Sequence, residues 1–213
     1  MWSFFKNLLE KKELKNIEKE ASDYLDLFKD RRPVPPSQFI VLDTETTGLN
    51  TGTDKILSFG GIRINRDRIN VGDSLYLYII SDEESENKKQ SAIVHGISKN
   101  EINQYGIPEK EAAIEIINFI SNYTIIAHHA SFDIAMLNKL IFNNLGIKIQ
   151  NKVIDTVELA LKKDFGRVHN IDYNPYMYSL DVLLKKYSIR PYDRHNALGD
   201  SLLTARLFMK LTS

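Results

Sequence analysis

Three short stretches of this chain carry side chains that could do chemistry together. The first is Asp43-Thr44-Glu45, directly after the apolar run Phe39-Ile40-Val41-Leu42. If that run is a strand, alternation puts Asp43 and Glu45 on the same face. Two adjacent carboxylates repel unless a cation lies between them, and hard divalent ions such as Mg2+ prefer such oxygen ligands. A polar strand end facing water is the plain alternative. The second stretch is Ala127-His128-His129-Ala130-Ser131-Phe132-Asp133. Ser131 is placed to N-cap a helix with Asp133 in its first turn, where the helix dipole favours a negative charge. That alone would account for Asp133. The third stretch is His195-Asn196-Ala197-Leu198-Gly199-Asp200. Asp200 lies among Ala197, Leu198, Leu202 and Leu203, and a carboxylate in so apolar a neighbourhood needs a partner or a metal. His195, with an ordinary pKa of about 6.5, could accept a proton from water near neutral pH.

The elements that must position these groups follow from the hydrophobic pattern. Residues 39–42, 56–64 and 74–80 read as three strands close enough to form an antiparallel meander, and 81–90 as a hydrophilic loop. Beyond about Pro108 the period changes. A helix is expected over 109–122, a short buried strand over 124–127, a helix over 131–144 and a short strand at 153–154. Asp155 and Glu158 then have the spacing of a capping box that opens another helix, and the chain closes in a helix from about 196 to 211. The pattern predicts an α/β fold, a mixed five-stranded sheet with a three-strand antiparallel meander plus parallel strands, flanked by helices. Ligands in such sheets sit at the ends of central strands. Ahead of the sheet, Leu14, Ile17, Ala21, Tyr24, Leu25 and Phe28 recur at helical steps, and Pro33, Pro35 and Pro36 end that helix in a stiff linker. The expected division is a helical extension and Pro-rich linker over 1–36 and a domain over 37–213.

Taken in order, Val41 to Leu49, Ala127 to Asp133 and His195 to Asp200 resemble the three motifs of the DEDDh exonucleases. That family includes the epsilon proofreading subunit of bacterial DNA polymerase III, ribonuclease T and oligoribonuclease. The resemblance covers about residues 37–211. Val94-His95-Gly96-Ile97-Ser98 and Asp155-Thr156-Val157-Glu158-Leu159-Ala160 are similar to segments of the epsilon branch. The resemblance implies a ribonuclease H-like fold and 3′–5′ hydrolysis of nucleic acid with two divalent ions, Mg2+ or Mn2+. It assigns Asp43, Glu45 and Asp200 to the ion that carries the attacking water, with Asp43 bridging to a second ion that Asp133 supports. His195 is the implied general base. Thr46 matches a position that holds the 3′-terminal nucleotide, and Leu49 and Phe132 match base or sugar contacts, although packing alone would also account for those two. His129 stands where many members have asparagine, which leaves nucleotide contacts there open. The epsilon-like segments favour a single-stranded or frayed DNA 3′ end as substrate, with RNA trimming by the same chemistry as the alternative.

The totals limit the remaining classes. Lys plus Arg and Asp plus Glu number 28 each, so no basic excess marks a protein that coats long nucleic acid. A grip on a few nucleotides, with metals neutralising part of the charge, is expected instead. There are no cysteines, which excludes disulfides and thiolate metal sites. No apolar run approaches the roughly 20 residues of a transmembrane helix, nor is there a signal-peptide core, so a cytoplasmic location is expected. A second reading lets residues 1–30 dominate, with Trp2, Phe4, Phe5, Leu8 and Leu9 docking a protein partner or a membrane surface. Without the C-terminal extension by which the epsilon subunit holds its polymerase, the expectation is a free-standing enzyme or one recruited through that helix.

Overall fold

The computed structural model describes residues 2–29, 38–80, 97, 99–169 and 171–213, with residues 2–11 and 99 described by backbone alone. The linker over 31–37, the loop over 81–90 and all of the 94–98 segment except Ile97 lie outside the described residues, as do the side chains of Trp2, Phe4, Phe5, Leu8 and Leu9.

Alternation along one strand organises the sheet. In β1 (Gln38–Thr46) Ile40 and Leu42 join one apolar cluster and Val41 joins another on the opposite face. β1 pairs antiparallel with β2 (Ile56–Asn65), which pairs antiparallel with β3 (Arg68–Ile80), giving the expected meander. On its other side β1 runs parallel to β5 (Thr124–Ala127), and β5 runs parallel to β6 (Val153–Asp155). With Gly106–Pro108 as β4, the order is β4-β3-β2-β1-β5-β6. The five predicted strands are present, and the described residues add a sixth. This is β4 (Gly106–Pro108), parallel to the end of β3 and preceded by α2 (Lys99–Tyr105). Three residues containing glycine and proline carry no periodic signal, so sequence reasoning passed over this edge strand.

Helices cover both faces. α3 (Glu109–Ile120) and α4 (Ala130–Leu145) bury Ile116, Ile117, Ile120, Leu137 and Ile141 against Ile40, Leu42 and Phe59. On the opposite face α7 (Ala197–Thr212) sets Ala205 and Phe208 against Val41, Ile62 and Ile64. α5 (Thr156–Phe165) and α6 (Leu180–Lys186) pack beside α7 through Leu161, Leu183, Leu184, Leu203 and Leu207.

The start of α4 differs from expectation. Ser131 is exposed and does not cap the helix, which begins at Ala130 with His129 as N-cap in a left-handed conformation, φ 56°. The cap comes from another strand. Parallel pairing sets Asp155 opposite Ala127, and its carboxylate accepts the N–H groups of His129 and Ala130 at 3.1 and 3.0 Å. The same carboxylate accepts Val157 N–H at 2.9 Å and so also caps α5, as its position predicted.

α1 (Trp2–Asp26) returns its second half to the body. Ala21 and Tyr24 are buried, Ile17, Leu25 and Phe28 pack beside them, and Leu14 is left exposed. The Tyr24 hydroxyl donates to Asn151 Oδ1 at 2.5 Å and accepts Gln150 N–H at 3.0 Å. Asn151 in turn donates to the carbonyls of Ser121 and Tyr123. Glu13 meets Lys110 at 2.7 Å. Tyr24→Phe leaves that buried amide short of one partner, at a cost of about 1.5 kcal/mol and a fall in Tm of roughly 3–6 °C. Thermal unfolding followed by circular dichroism checks this, and an unchanged Tm would show that the contact does not hold the helix to the body.

Candidate active site

The carboxylates converge at the C-terminal end of β1, where the strand stands between an antiparallel and a parallel neighbour. Asp43 and Glu45 share the face of Val41 and meet Asp200 from the first turn of α7. One carboxylate oxygen from each of the three lies within 4.8 Å of the others. Asp133 comes from α4, on the opposite face. It reaches the same end of β1 by accepting the Thr44 N–H at 3.0 Å and the Thr44 hydroxyl at 2.7 Å. Thr44 is therefore the hinge of the arrangement, a role the sequence hid because its side chain alternates away from the acidic pair.

Two glycines allow close packing at the start of α7, one against the sheet and one against the preceding turn. A Cβ on Gly60, opposite Asp43 in the β1–β2 register, would lie 2.2 Å from the backbone of Ala197 and Leu198. One on Gly199 would lie 2.1 Å from the Asp193 carbonyl. A glycine inside a strand pattern marks close backbone approach, and that was the legible signal for Gly60. The turn before α7 is strained. Asp193 and His195 hold left-handed φ values of 55° and 62°, each costing about 1–2 kcal/mol for a residue with a Cβ. Asn196 caps the helix by accepting Leu198 N–H and Gly199 N–H, and its amide donates to the Tyr76 hydroxyl at 3.3 Å. The His195 ring is exposed, and its backbone N–H donates to Asp200 Oδ2 at 3.2 Å.

Crowding these charges in a buried place shifts them. Asp43 is held well above the ordinary carboxylate range, first by burial and then by Asp133, Asp200 and Glu45. Burial likewise raises Asp133 to about 7, against the lowering effect of the two Thr44 bonds. Asp200 is raised by burial in spite of Arg194. Arg194, which sequence reasoning did not single out, pairs with Asp200 through Nη1 and donates from Nε to Asp181 at 2.7 Å. Asp200 Oδ1 is buried and has no hydrogen-bond partner among the described residues. An orphaned oxygen within a set of mutually repelling carboxylates is what a hard divalent cation would satisfy, so the donor set fits such an ion.

The other singled-out residues have their own surroundings. Thr46 is buried, and its hydroxyl donates to the Gly48 carbonyl at 2.7 Å, so it shapes the loop after β1. Leu49, on that loop just before its turn at 50–54, is 86% exposed. Phe132 is half-buried and packs against the core under α4. His129 is exposed, with its ring edge-on to His128 at 4.7 Å. His128 is kept neutral, with its pKa lowered to about 3 by burial and by His129, and its Nδ1 is 2.8 Å from the Thr156 hydroxyl.

Residues 40–208 match a family model described as "Exonuclease". The chain belongs to that exonuclease family. This exonuclease is 32% identical over 173 residues to the PolC-type DNA polymerase III of Thermotoga petrophila, a match that covers 81% of this chain and 12% of the polymerase. It is 31% identical over 189 residues to DNA polymerase III subunit epsilon of Buchnera aphidicola subsp. Schizaphis graminum, covering 83% of this chain and 75% of the relative. Among solved structures, E. coli exonuclease I in complex with a dT13 oligonucleotide is similar with a TM-score of 0.68 at 19% identity, over 81% of this chain and 40% of the other. That likeness identifies the fold as ribonuclease H-like. No helix among the described residues is long and apolar enough to cross a membrane.

Two outcomes test the geometry. Because the folded protein binds the Asp133 proton more tightly than the unfolded chain, that proton stabilises folding fully below pH about 3.8. The contribution is lost as pH rises through about 7. In chelator, wild-type Tm should therefore fall from pH 4 to pH 7 more steeply than that of Asp133→Asn; parallel profiles would refute the assignment. Gly60→Ala should push the first turn of α7 off the sheet, costing up to about 3 kcal/mol of stability. Since a misplacement of about 1 Å can cost on the order of 100-fold in rate, nuclease activity should drop by a similar factor. Unfolding curves and a nuclease assay on the same protein read both effects.

Proposed function

We propose that this exonuclease removes nucleoside 5′-monophosphates one at a time from the 3′ end of single-stranded or frayed DNA. The observation that carries the reading is the meeting of Asp43, Glu45 and Asp200 within 4.8 Å, with Asp133 joined to them through Thr44 and His195 at the rim. Two divalent cations, Mg2+ or Mn2+, held by these four carboxylates would supply the charge that offsets their repulsion and make a water more acidic. Asp43, on which the other three charges act, would help to hold both. The exposed ring of His195 takes the proton from that water as its oxygen bonds to phosphorus. The bond between phosphorus and the 3′ oxygen of the preceding nucleotide breaks, and the phosphate leaves with the terminal nucleoside. Leu49, Thr46, His129 and Phe132 border the place for that nucleotide. The relatives' names, DNA polymerase III epsilon subunit and PolC-type polymerase, favour DNA and a part in replication. An even balance of 28 basic and 28 acidic residues fits a grip limited to a short end.

The test is digestion of 5′-labelled single-stranded DNA, single-stranded RNA, matched duplex and 3′-mismatched duplex, with Mg2+, Mn2+ or chelator. A ladder shortening from the 3′ end, fastest on single-stranded DNA and lost in chelator and in Asp200→Ala, is expected; faster loss of RNA would move the substrate to RNA. Full activity in chelator or in Asp43→Ala sinks the reading. His195→Ala should lose activity by about 100-fold to 10,000-fold while binding Mn2+ as the wild type does.

A further inference from the structure

Directly after Glu45 the chain makes a loop that closes on a single buried carboxylate outside the acidic cluster. Asp54 is 4% exposed. Its Oδ1 accepts the Thr47 hydroxyl at 2.8 Å and its Oδ2 accepts the Asn50 N–H at 2.8 Å. Its own N–H donates to the Asn50 carbonyl at 2.8 Å. The loop base is tied twice more, since Thr47 N–H donates to the Lys55 carbonyl and Lys55 N–H donates to the Thr47 hydroxyl. From outside, Lys139 of α4 donates to the carbonyls of Gly52 and Asp54 at 2.7 and 3.0 Å. Gly48 lies so near the carboxylate that a Cβ would sit 2.6 Å from Asp54 Oδ2. All this polar bonding surrounds a residue that buries almost nothing, Leu49, 86% exposed.

Free energy is being used to fix a loop whose one large apolar side chain, Leu49, gains little packing among the described residues. A bare leucine on an irregular loop needs no such frame, and loops without one sample many conformations. A buried carboxylate that meets two donors of its own loop removes that freedom before any ligand arrives, which is how preorganisation lowers the cost of binding. We infer that Asp54 is a positioning residue that holds the 47–54 loop, and Leu49 with it, ready to receive the terminal nucleotide of the substrate. The inference rests on the exonuclease reading above. Asp54 touches neither substrate nor ion; it acts through Leu49, and its effect falls on binding.

The experiment measures KM and kcat on a short 5′-labelled single-stranded DNA for wild type, Asp54→Asn, Leu49→Ala and the double variant. Mn2+ affinity by calorimetry and amide exchange across 47–55 are measured on the same proteins. Asp54→Asn keeps the shape but loses an acceptor, and should raise KM by about tenfold, the weight of one charge-assisted hydrogen bond. kcat should stay within about twofold and Mn2+ affinity should not change. Exchange at Asn50 and Lys55 should rise. In the Leu49→Ala background the same change should leave KM where Leu49→Ala put it, since two residues acting through one contact are not additive. An unchanged KM, a loss confined to kcat or to Mn2+ affinity, or additive effects in the double variant would overturn the assignment while leaving the exonuclease reading intact. A wild-type protein that digests no nucleic acid would overturn both.

Discussion

Like charges held together in a buried place are the constraint around which this molecule is built. A strand can present Asp43 and Glu45 side by side at little cost in water, but here Glu45 is buried, Asp43 is half-buried, and two further carboxylates join them. Burying charge without compensation is among the most expensive things a fold can do. The neighbourhood is accordingly ordered by electrostatic need. Thr44 gives both of its donors to Asp133, Arg194 stands against Asp200, and one oxygen of Asp200 has no hydrogen-bond partner among the described residues. A hard divalent cation would offset the repulsion that these contacts leave.

The rest of the fold serves to make that crowding possible. α7 must approach the sheet closely enough to deliver Asp200, and the bare backbone at Gly60 is what allows it, while Gly199 lets the turn at Asp193 fold against the helix. The strained turn through Asp193 and His195 converts a chain arriving from α6 into a helix pointing its first turn at β1. On the other face, α4 starts where it does because Asp155, at the end of a neighbouring parallel strand, binds its first free N–H groups. That contact fixes the rotation of α4 and hence the direction from which Asp133 arrives.

Much of this was legible in the residues. The alternation of 39–45 gave the strand and the shared face of Asp43 and Glu45, and the apolar setting of Asp200 marked it as a carboxylate in need of company. What stayed hidden has a common cause: it depends on contacts between residues far apart in the chain. Ser131 has the chemistry of a cap and was expected to act as one, but Asp155 lies 25 residues from Ala130 and takes the bond. Arg194 and Thr44 belong to residue types whose partners no local pattern reveals. Tyr24 reads as one more apolar step in a helix until its hydroxyl is seen bridging to Asn151, 127 residues away. β4 is too short, and too dependent on the neighbour it pairs with, to announce itself.

The delivery of Asp133 and Asp200 from helices on opposite faces has a mechanical meaning. Metal held by these carboxylates would tie both layers of helices to the C-terminal end of β1. It would act as a cross-link closing the sandwich at one end, so detaching either layer would require releasing the ion. Loading with metal would then change more than the chemistry: the two layers, independent in their apolar packing, would come apart only together.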